Sequence, residues 1–444
     1  MSYDPLHSIS PGEGLNHVDS YWAATAGTPP GDDGRLQSQI ETDVAIIGGG
    51  YTGLSCAFHL AKRYGVRPVV LEANRPVWGC SGRNGSFAGP ALGRVSLSEW
   101  TTRWGESGAR SLWAEAVSAV ETVRSLIKEG NIDCDVQPDG RMRVAHARST
   151  VKKLEDDARV LSSFGTEFQM LSPSEIAQNH FKGEEAHAAL RTTYGFVLHP
   201  MKLGYGILRM AREAGATVYS ASPVLRWSKR GQTHRLDTPD GKVHAKRIVF
   251  ATNGYTNERL HPTLDSRLLP VLSNIVVTRP MTETEIGGSN FVTTDSISDT
   301  RKFLNYFRRL PDGRVMLGSR GPIRESGSAP HRDRLLQIIR RKFPALHSIS
   351  ADYFWGGWVA LTPDYMPHVG HAEDDPTAFY AMGYCGSGVT AANQAGRRLA
   401  EFLGESRPVP VQLNAQPPRY PLARFRRVGQ IAAFQWYSLS DALT

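Results

Sequence analysis

The chain has 444 residues, too many for one typical domain, and its 40% hydrophobic and 21% charged content is that of a globular protein with sizeable cores. A formal charge of +8 comes from Lys and Arg spread along the chain without any nucleic-acid signature, which argues against nucleic acid and for anionic small molecules or a membrane surface. Four dispersed cysteines without a CxxC pair give neither a zinc site nor a disulfide framework. The start "MSYDPLHSIS" has no secretory features and no apolar run is long enough to span a bilayer, so a reducing, cytoplasmic setting is expected.

In chain order, residues 1–40 read as an irregular Gly- and Pro-rich arm with one patch, "YWAATAG". "DVAIIGG" is a buried-type strand. Helical spacing of Leu54, Ala57, Phe58 and Ala61 follows, then a second strand in "RPVVLEAN": a β-α-β unit. Residues 96–129 and 150–165 read as helices with the strand "RMRVAHA" between them. "LGYGILRMAREAG" is a helix, and "KRIVFATNGYT" is a buried strand running into a glycine. Residues 271–320 alternate as strands, with a hairpin at Pro311-Asp312-Gly313. "DRLLQIIRRKFPAL" is amphipathic and helical, and "FYAMGYCGSGVTAANQAGRRLAEFLGE" is a strand, a glycine loop and a closing helix.

The fold class expected is α/β: a Rossmann-type dinucleotide-binding domain interrupted by an α+β substrate domain with a large antiparallel sheet. The nucleotide domain is assigned to 41–95, 195–260 and 355–410, the substrate domain to 96–194 and 261–354, and the two arms to 1–40 and 411–444.

Gly48, Gly50 and Gly53 form G-x-G-x-x-G directly after a strand and before a helix. The first permits a sharp turn, the second lets backbone approach a pyrophosphate, and the third lets the helix pack on the sheet. Helix N–H groups and the helix dipole then face the anion. Glu72, at the tip of the next strand, is placed to accept hydrogen bonds from ribose hydroxyls. The pattern indicates a dinucleotide; it does not by itself separate FAD from NAD.

The stretch "GGGYTGLSCAFHLAKRYGVRPVVLEANRPVWGCSGRNGS" resembles the amino end of the D-amino-acid oxidase and glycine oxidase superfamily of FAD enzymes. "SGRNG" marks a likeness to its γ-glutamylputrescine oxidoreductase branch. The likeness runs through "HPMKLGYG", "ATNGY", "LTPDYMPHVG" and "GYCGSGVT". It implies non-covalent FAD held by Gly48, Gly50, Tyr51, Thr52 and Gly53, with Glu72 and Ala73 at the ribose and Val224 at the adenine. It further implies that Ser81, Gly82, Arg83, Asn84 and Gly85 run beside the pyrophosphate and ring, with Ala251, Asn253 and Gly254 close to the flavin. Gly386, Ser387, Gly388, Val389 and Thr390 would lie at the amino end of the closing helix, whose N–H groups favour negative charge on the ring. Cys80 and Cys385 are expected as small packing groups.

The implied chemistry is oxidation of a C–N bond by hydride transfer to the flavin. The product imine hydrolyses to an aldehyde or ketone plus an amine. Tyr306, Trp358 and Ser387 are the catalytic candidates, with Phe307 and Trp355 as further aromatic walls and Arg308 or Arg309 as a carboxylate clamp. The substrate is an amine or amino acid, a γ-glutamylputrescine-like amine first, with a cyclic or N-alkyl amino acid (pipecolate, sarcosine, a D-amino acid) as the alternative. Oxygen-using relatives carry a lysine on the strand that here reads "GRVMLG", where Met316 is expected to stand. Both O2 and a quinone therefore remain as electron acceptors. An NAD-dependent dehydrogenase is the rival enzyme reading. The basic, aromatic tail "ARFRRVGQIAAFQWY" motivates a third, a non-enzymatic flavin-binding protein or one in peripheral membrane contact.

Overall fold

The computed structural model describes residues 3–407 and 409–442, whose strands form two eight-stranded sheets and one short pair. The first sheet is centred on Gln39–Ile47, whose buried end Val44–Ile47 explains its unbroken apolar run. This strand pairs in parallel with Lys242–Phe250 on one side and Val69–Leu71 on the other. Ala378–Met382 and Thr217–Tyr219 extend the parallel order outward, and His368–His371 closes one edge antiparallel. Helix Tyr51–Tyr64 leaves the central strand through the glycine loop and stops at Gly65, whose N–H bonds back to the Leu60 carbonyl. The closing helix Gly388–Glu405 lies beside it, with the Ser55 hydroxyl donating to the Asn393 carbonyl at 2.8 Å.

The second sheet runs Ala351–Leu361, Leu269–Pro280, Arg314–Arg320, Tyr306–Arg309, Ser296–Asp299, Arg141–Val144, Ala189–Thr192, Gln169–Leu171. Its pairs are antiparallel except Ser296–Asp299 with Arg141–Val144, and the expected hairpin joins Tyr306–Arg309 to Arg314–Arg320. Helix Ser328–Lys342 covers one face over a core that includes Phe291, Phe307, Leu335 and Phe343.

Two segments lie elsewhere than expected. Ala351–Leu361 pairs with Leu269–Pro280, so residues 355–361 belong to the second sheet and not to the nucleotide half. The long helix Leu97–Glu129, kinked at Gly105, packs on the closing helix instead of staying with the second sheet. Gln394 and Arg398 both bond its Glu115, at 2.8 and 2.6 Å.

The arms are built into the fold. Ser20 caps a helical turn at Tyr21–Thr25, and the buried Trp22 indole N–H donates to the Asn84 carbonyl at 2.9 Å. Helix Arg426–Ala442 is anchored by Arg426 to Glu258 and Arg427 to Asp4. Its Asp441 accepts from the N–H groups of Lys302 and Phe303 at 2.9 and 2.8 Å. Among the described residues no helix is long and apolar enough to cross a membrane.

Candidate functional site

One cavity of about 390 Å³ lies between the carboxyl ends of the parallel strands and the inner face of the second sheet. The glycine loop opens onto it. Gly48 turns with φ +111°, a conformation that side chains disfavour, and a Cβ there would sit 2.8 Å from the Ala251 carbonyl oxygen. Gly53 does not line the cavity. A Cβ on it would fall 1.9 Å from the Gly48 oxygen, so it lets the helix close on the turn. Gly50, Tyr51 and Thr52 present the first helical turn, where N–H groups have no partner inside the helix, to the cavity. Glu72 stabilises the loop from below. Its two carboxylate oxygens accept from the N–H groups of Gly49 at 2.7 Å and Asn74 at 2.9 Å. Burial raises its pKa against those hydrogen bonds.

Ala73, Val224, Ala251, Asn253 and Gly254 also line the cavity. The Asn253 amide oxygen accepts the Gly383 N–H at 2.9 Å and so ties the end of one strand to the loop before the closing helix. Ser81, Arg83, Asn84 and Gly85 line it too, whereas Gly82 is packed behind, where a Cβ would meet the Val77 carbonyl at 2.5 Å. The Arg83 guanidinium lies over the Trp78 ring, 4.0 Å from its centroid, and donates to the Trp78 carbonyl. Its Nη2 is buried without a hydrogen-bond partner among the described residues. A buried, unpaired N–H beside an open glycine turn fits an anionic or carbonyl-bearing cofactor.

Gly386, Ser387, Gly388 and Val389 bring the amino end of the closing helix to the opposite wall. Ser387 is fully engaged there, donating to the Tyr384 carbonyl at 2.8 Å and accepting the Gly93 N–H at 3.0 Å. That leaves it as a loop-fixing group. Thr390 is off the cavity, bonded to the Gly89 carbonyl at 2.9 Å.

Tyr306 is the one aromatic catalytic candidate that lines the cavity, its ring backed by Phe87 at 5.8 Å between centroids. The ring fits between two glycines. A Cβ on Gly318 or Gly85 would come within 2.1 and 2.6 Å of it. Its hydroxyl lies 3.2 Å from Ser273 Oγ, and burial pushes its pKa up to about 12, so it stays a donor. Trp358 does not line the cavity. Its indole N–H donates to Glu325 at 3.0 Å and Arg427 covers its ring, so it packs the strand from behind. Trp355 likewise supports the site from outside, donating to the Arg83 carbonyl at 2.9 Å, and Phe307 is core.

Neither expected clamp arginine reaches the cavity. Arg308 is buried and donates to Ser86 at 2.6 Å, and Arg309 donates to the Phe291 carbonyl at 3.3 Å. Met316 is buried in the core below, so the strand contributes Ser319 and Arg320 to the cavity. The arginines that do line it beside Arg83 are Arg94, Arg141 and Arg320. Sequence reading missed these, and also Ile9–Pro11 of the amino-terminal arm, Tyr255, Tyr384 and the serines 273, 296 and 298. Tyr255 and Tyr384 stand inside the motifs "ATNGY" and "GYCGSGVT", whereas the arginines, the arm residues and the serines come from separate strands, turns and the arm, and only the tertiary fold brings them together. Cys80 and Cys385 carry buried thiols, the first pushed up to about 11 by burial.

The comparisons with known proteins agree with this geometry. The family model described as FAD dependent oxidoreductase matches residues 43–402. The γ-glutamylputrescine oxidoreductase of Escherichia coli strain K12 is 31% identical over 96% of this chain and 99% of its own. A probable oxidoreductase, OrdL, of Rhizobium meliloti strain 1021 is 32% identical over 90% and 92%. Among solved structures, glycine oxidase from Geobacillus kaustophilus superposes with a TM-score of 0.71 at 20% identity, covering 86% of this chain and 99% of its own, a likeness of fold. This overturns the NAD reading: the family-model match over most of the chain, with a relative 31% identical over nearly all of it, shows that the chain belongs to the FAD dependent oxidoreductase family and is an FAD-binding enzyme.

Proposed function

We propose that the enzyme oxidises the C–N bond of an amine or amino acid that carries a carboxylate, of the kind γ-glutamylputrescine represents. The observation that carries this reading is one cavity shared by the glycine turn and by a sheet face of serines, Tyr306 and unpaired arginines. FAD, when bound, supplies the two-electron acceptor. The residues that would hold it are Gly48, Gly50, Tyr51 and Thr52 at the diphosphate, Glu72 and Ala73 at the ribose, Val224 at the adenine, and Arg83, Asn253, Gly254 and Gly386–Val389 at the ring end.

The other residues bind and orient. Guanidinium groups hold a carboxylate and make the site unfavourable for a second cation, so a bound ammonium gives up its proton more readily. Tyr306 offers a wall and a hydroxyl donor that does not ionise near neutrality. The positive end of the closing helix favours negative charge at the opposite wall. Oxidation leaves an imine, which water hydrolyses to an aldehyde or ketone and an amine.

The test is an anaerobic panel of amines and amino acids mixed with holoenzyme, γ-glutamylputrescine, pipecolate and sarcosine among them, followed by visible absorbance. Bleaching of the flavin by one of them is expected, and a panel without any bleaching would count against C–N oxidation. Reoxidation by O2 and by a soluble quinone, compared on the bleached enzyme, identifies the acceptor.

A further inference from the structure

The charges on the cavity wall do not balance. Among the described residues four arginines line it, Arg83, Arg94, Arg141 and Arg320, against one carboxylate, Glu72, which is held by the glycine loop. Arg83 belongs with the cofactor end. The other three stand by the second sheet, and among the described residues none of them forms an ion pair.

Their hydrogen bonding is as incomplete. Arg94 donates to the Lys302 carbonyl at 2.8 Å, Arg141 reaches the Pro90 carbonyl at 3.4 Å, and the Arg320 guanidinium has no hydrogen-bond partner among the described residues. A guanidinium carries five N–H donors, so most of them are left over. The acids whose fields reach these groups are engaged elsewhere. Asp441 accepts the N–H groups of Lys302 and Phe303, and Asp157 pairs with Arg143. Burial lowers the pKa of all three arginines, and the charge of Arg94 lowers that of Arg320 further. Two cations that repel each other on one cavity wall are stabilised by an anion between them.

Strand register sets the spacing. Arg320 pairs across from Ser273, and Arg141 across from Ser296. The strands bearing Arg320 and Arg141 are separated by Tyr306–Arg309 and Ser296–Asp299, which is three strand spacings or about 14 Å between backbones. Ser298 and Tyr306, opposite each other in register, lie between them. The face therefore has a cationic patch at each end and hydroxyl groups in the middle.

We propose that Arg94 with Arg320 at one end of this face, and Arg141 at the other, form two anion subsites, and that the substrate is an amine bearing two carboxylates. This rests on the C–N oxidation reading for the word amine, but not for the anion subsites. It separates the substrate from γ-glutamylputrescine itself, whose single carboxylate fills one subsite and leaves the other empty. Arg94, Arg141 and Arg320 then determine specificity, because a ligand lacking either carboxylate leaves a guanidinium of the cavity wall without a counter-charge.

The experiment uses holoenzyme and non-oxidisable probes. Linear dicarboxylates from malonate to adipate, and the monocarboxylates of matching length, are titrated while the visible flavin spectrum and heat of binding are recorded. One dicarboxylate should bind at least about thirty-fold more tightly than its monocarboxylate counterpart. Arg141→Met and Arg320→Met should each bring it down to the monocarboxylate level. Dicarboxylates that bind no more tightly than monocarboxylates to the wild-type enzyme would overturn the proposal, and this comparison stands whether or not a variant keeps its flavin. Tight dicarboxylate binding together with an amine panel that bleaches nothing would support the two subsites while counting against C–N oxidation.

Discussion

Tyr306 shows how much of the site depends on what neighbouring residues lack. Its ring occupies space left by the absent Cβ atoms of Gly318 and Gly85, and its hydroxyl reaches Ser273. Gly318→Ala should displace the ring and cost about 1–3 kcal/mol of stability through overpacking. We expect kcat to fall while flavin content is retained, read by steady-state kinetics beside the absorbance ratio of flavin to protein. Tyr306→Phe keeps the ring and loses a hydrogen bond worth about 0.5–1.5 kcal/mol, so kcat/KM should drop by less than about twenty-fold. A loss from the Phe variant as large as that from Gly318→Ala would show that the hydroxyl, and not the wall, matters. The sequence made Tyr306 legible because an aromatic pair precedes a Pro-Asp-Gly hairpin. It could not distinguish Tyr306 from Trp358, since only strand pairing decides which aromatic faces inward.

Secondary-structure elements were read most surely where the information is local. The β-α-β unit, the hairpin and the amphipathic helices are written in periodicity and turn residues within a few positions of one another. Sheet membership is not local. Ala351–Leu361 joins the second sheet through ten pairings with Leu269–Pro280, and nothing within residues 351–361 specifies that partner. The same applies to Arg94, Arg141 and Arg320, which are far apart in the chain: strand register sets the last two, and a turn held to the Lys302 carbonyl brings in the first. At this scale an ion-pair group also fixes helix Ser328–Lys342 to the second sheet's loops. Glu185 meets Lys342 at 3.0 Å, Arg301 at 2.8 Å and Arg341 at 3.3 Å. Although burial alone would raise it, the Lys342 and arginine charges hold the Glu185 carboxyl down at about 2. A carboxyl depressed on folding stabilises the protein above its unfolded pKa, and that contribution is lost as pH falls from about 4.5 toward 2. Glu185→Gln should therefore lower stability by about 1–2 kcal/mol at neutral pH and narrow the gap from wild type progressively below about pH 4.5. Urea unfolding at several pH values checks this, and a gap independent of pH would contradict it.

At the scale of the whole molecule, the two sheets make a single cavity because loops from one and a polar face from the other are held in contact by both arms. Trp22 clamps the Asn84 loop from one arm, and Asp441 fixes the Lys302–Phe303 turn from the other. The arms were read as irregular or peripheral because their contacts are not periodic. The dinucleotide half was legible from one loop, because a turn built around a diphosphate constrains strand, glycines and helix together. The measurement that bears most directly on the account is titration of the deflavinated protein with FAD, followed by calorimetry and by the visible spectrum. Stoichiometric, saturable uptake with restored flavin absorbance is expected for wild type, and strongly weakened uptake for Gly53→Val, whose side chain the turn has no room for. Wild-type protein that remains folded but takes up no FAD, or a Gly53→Val variant that binds it as well as wild type, would contradict the account.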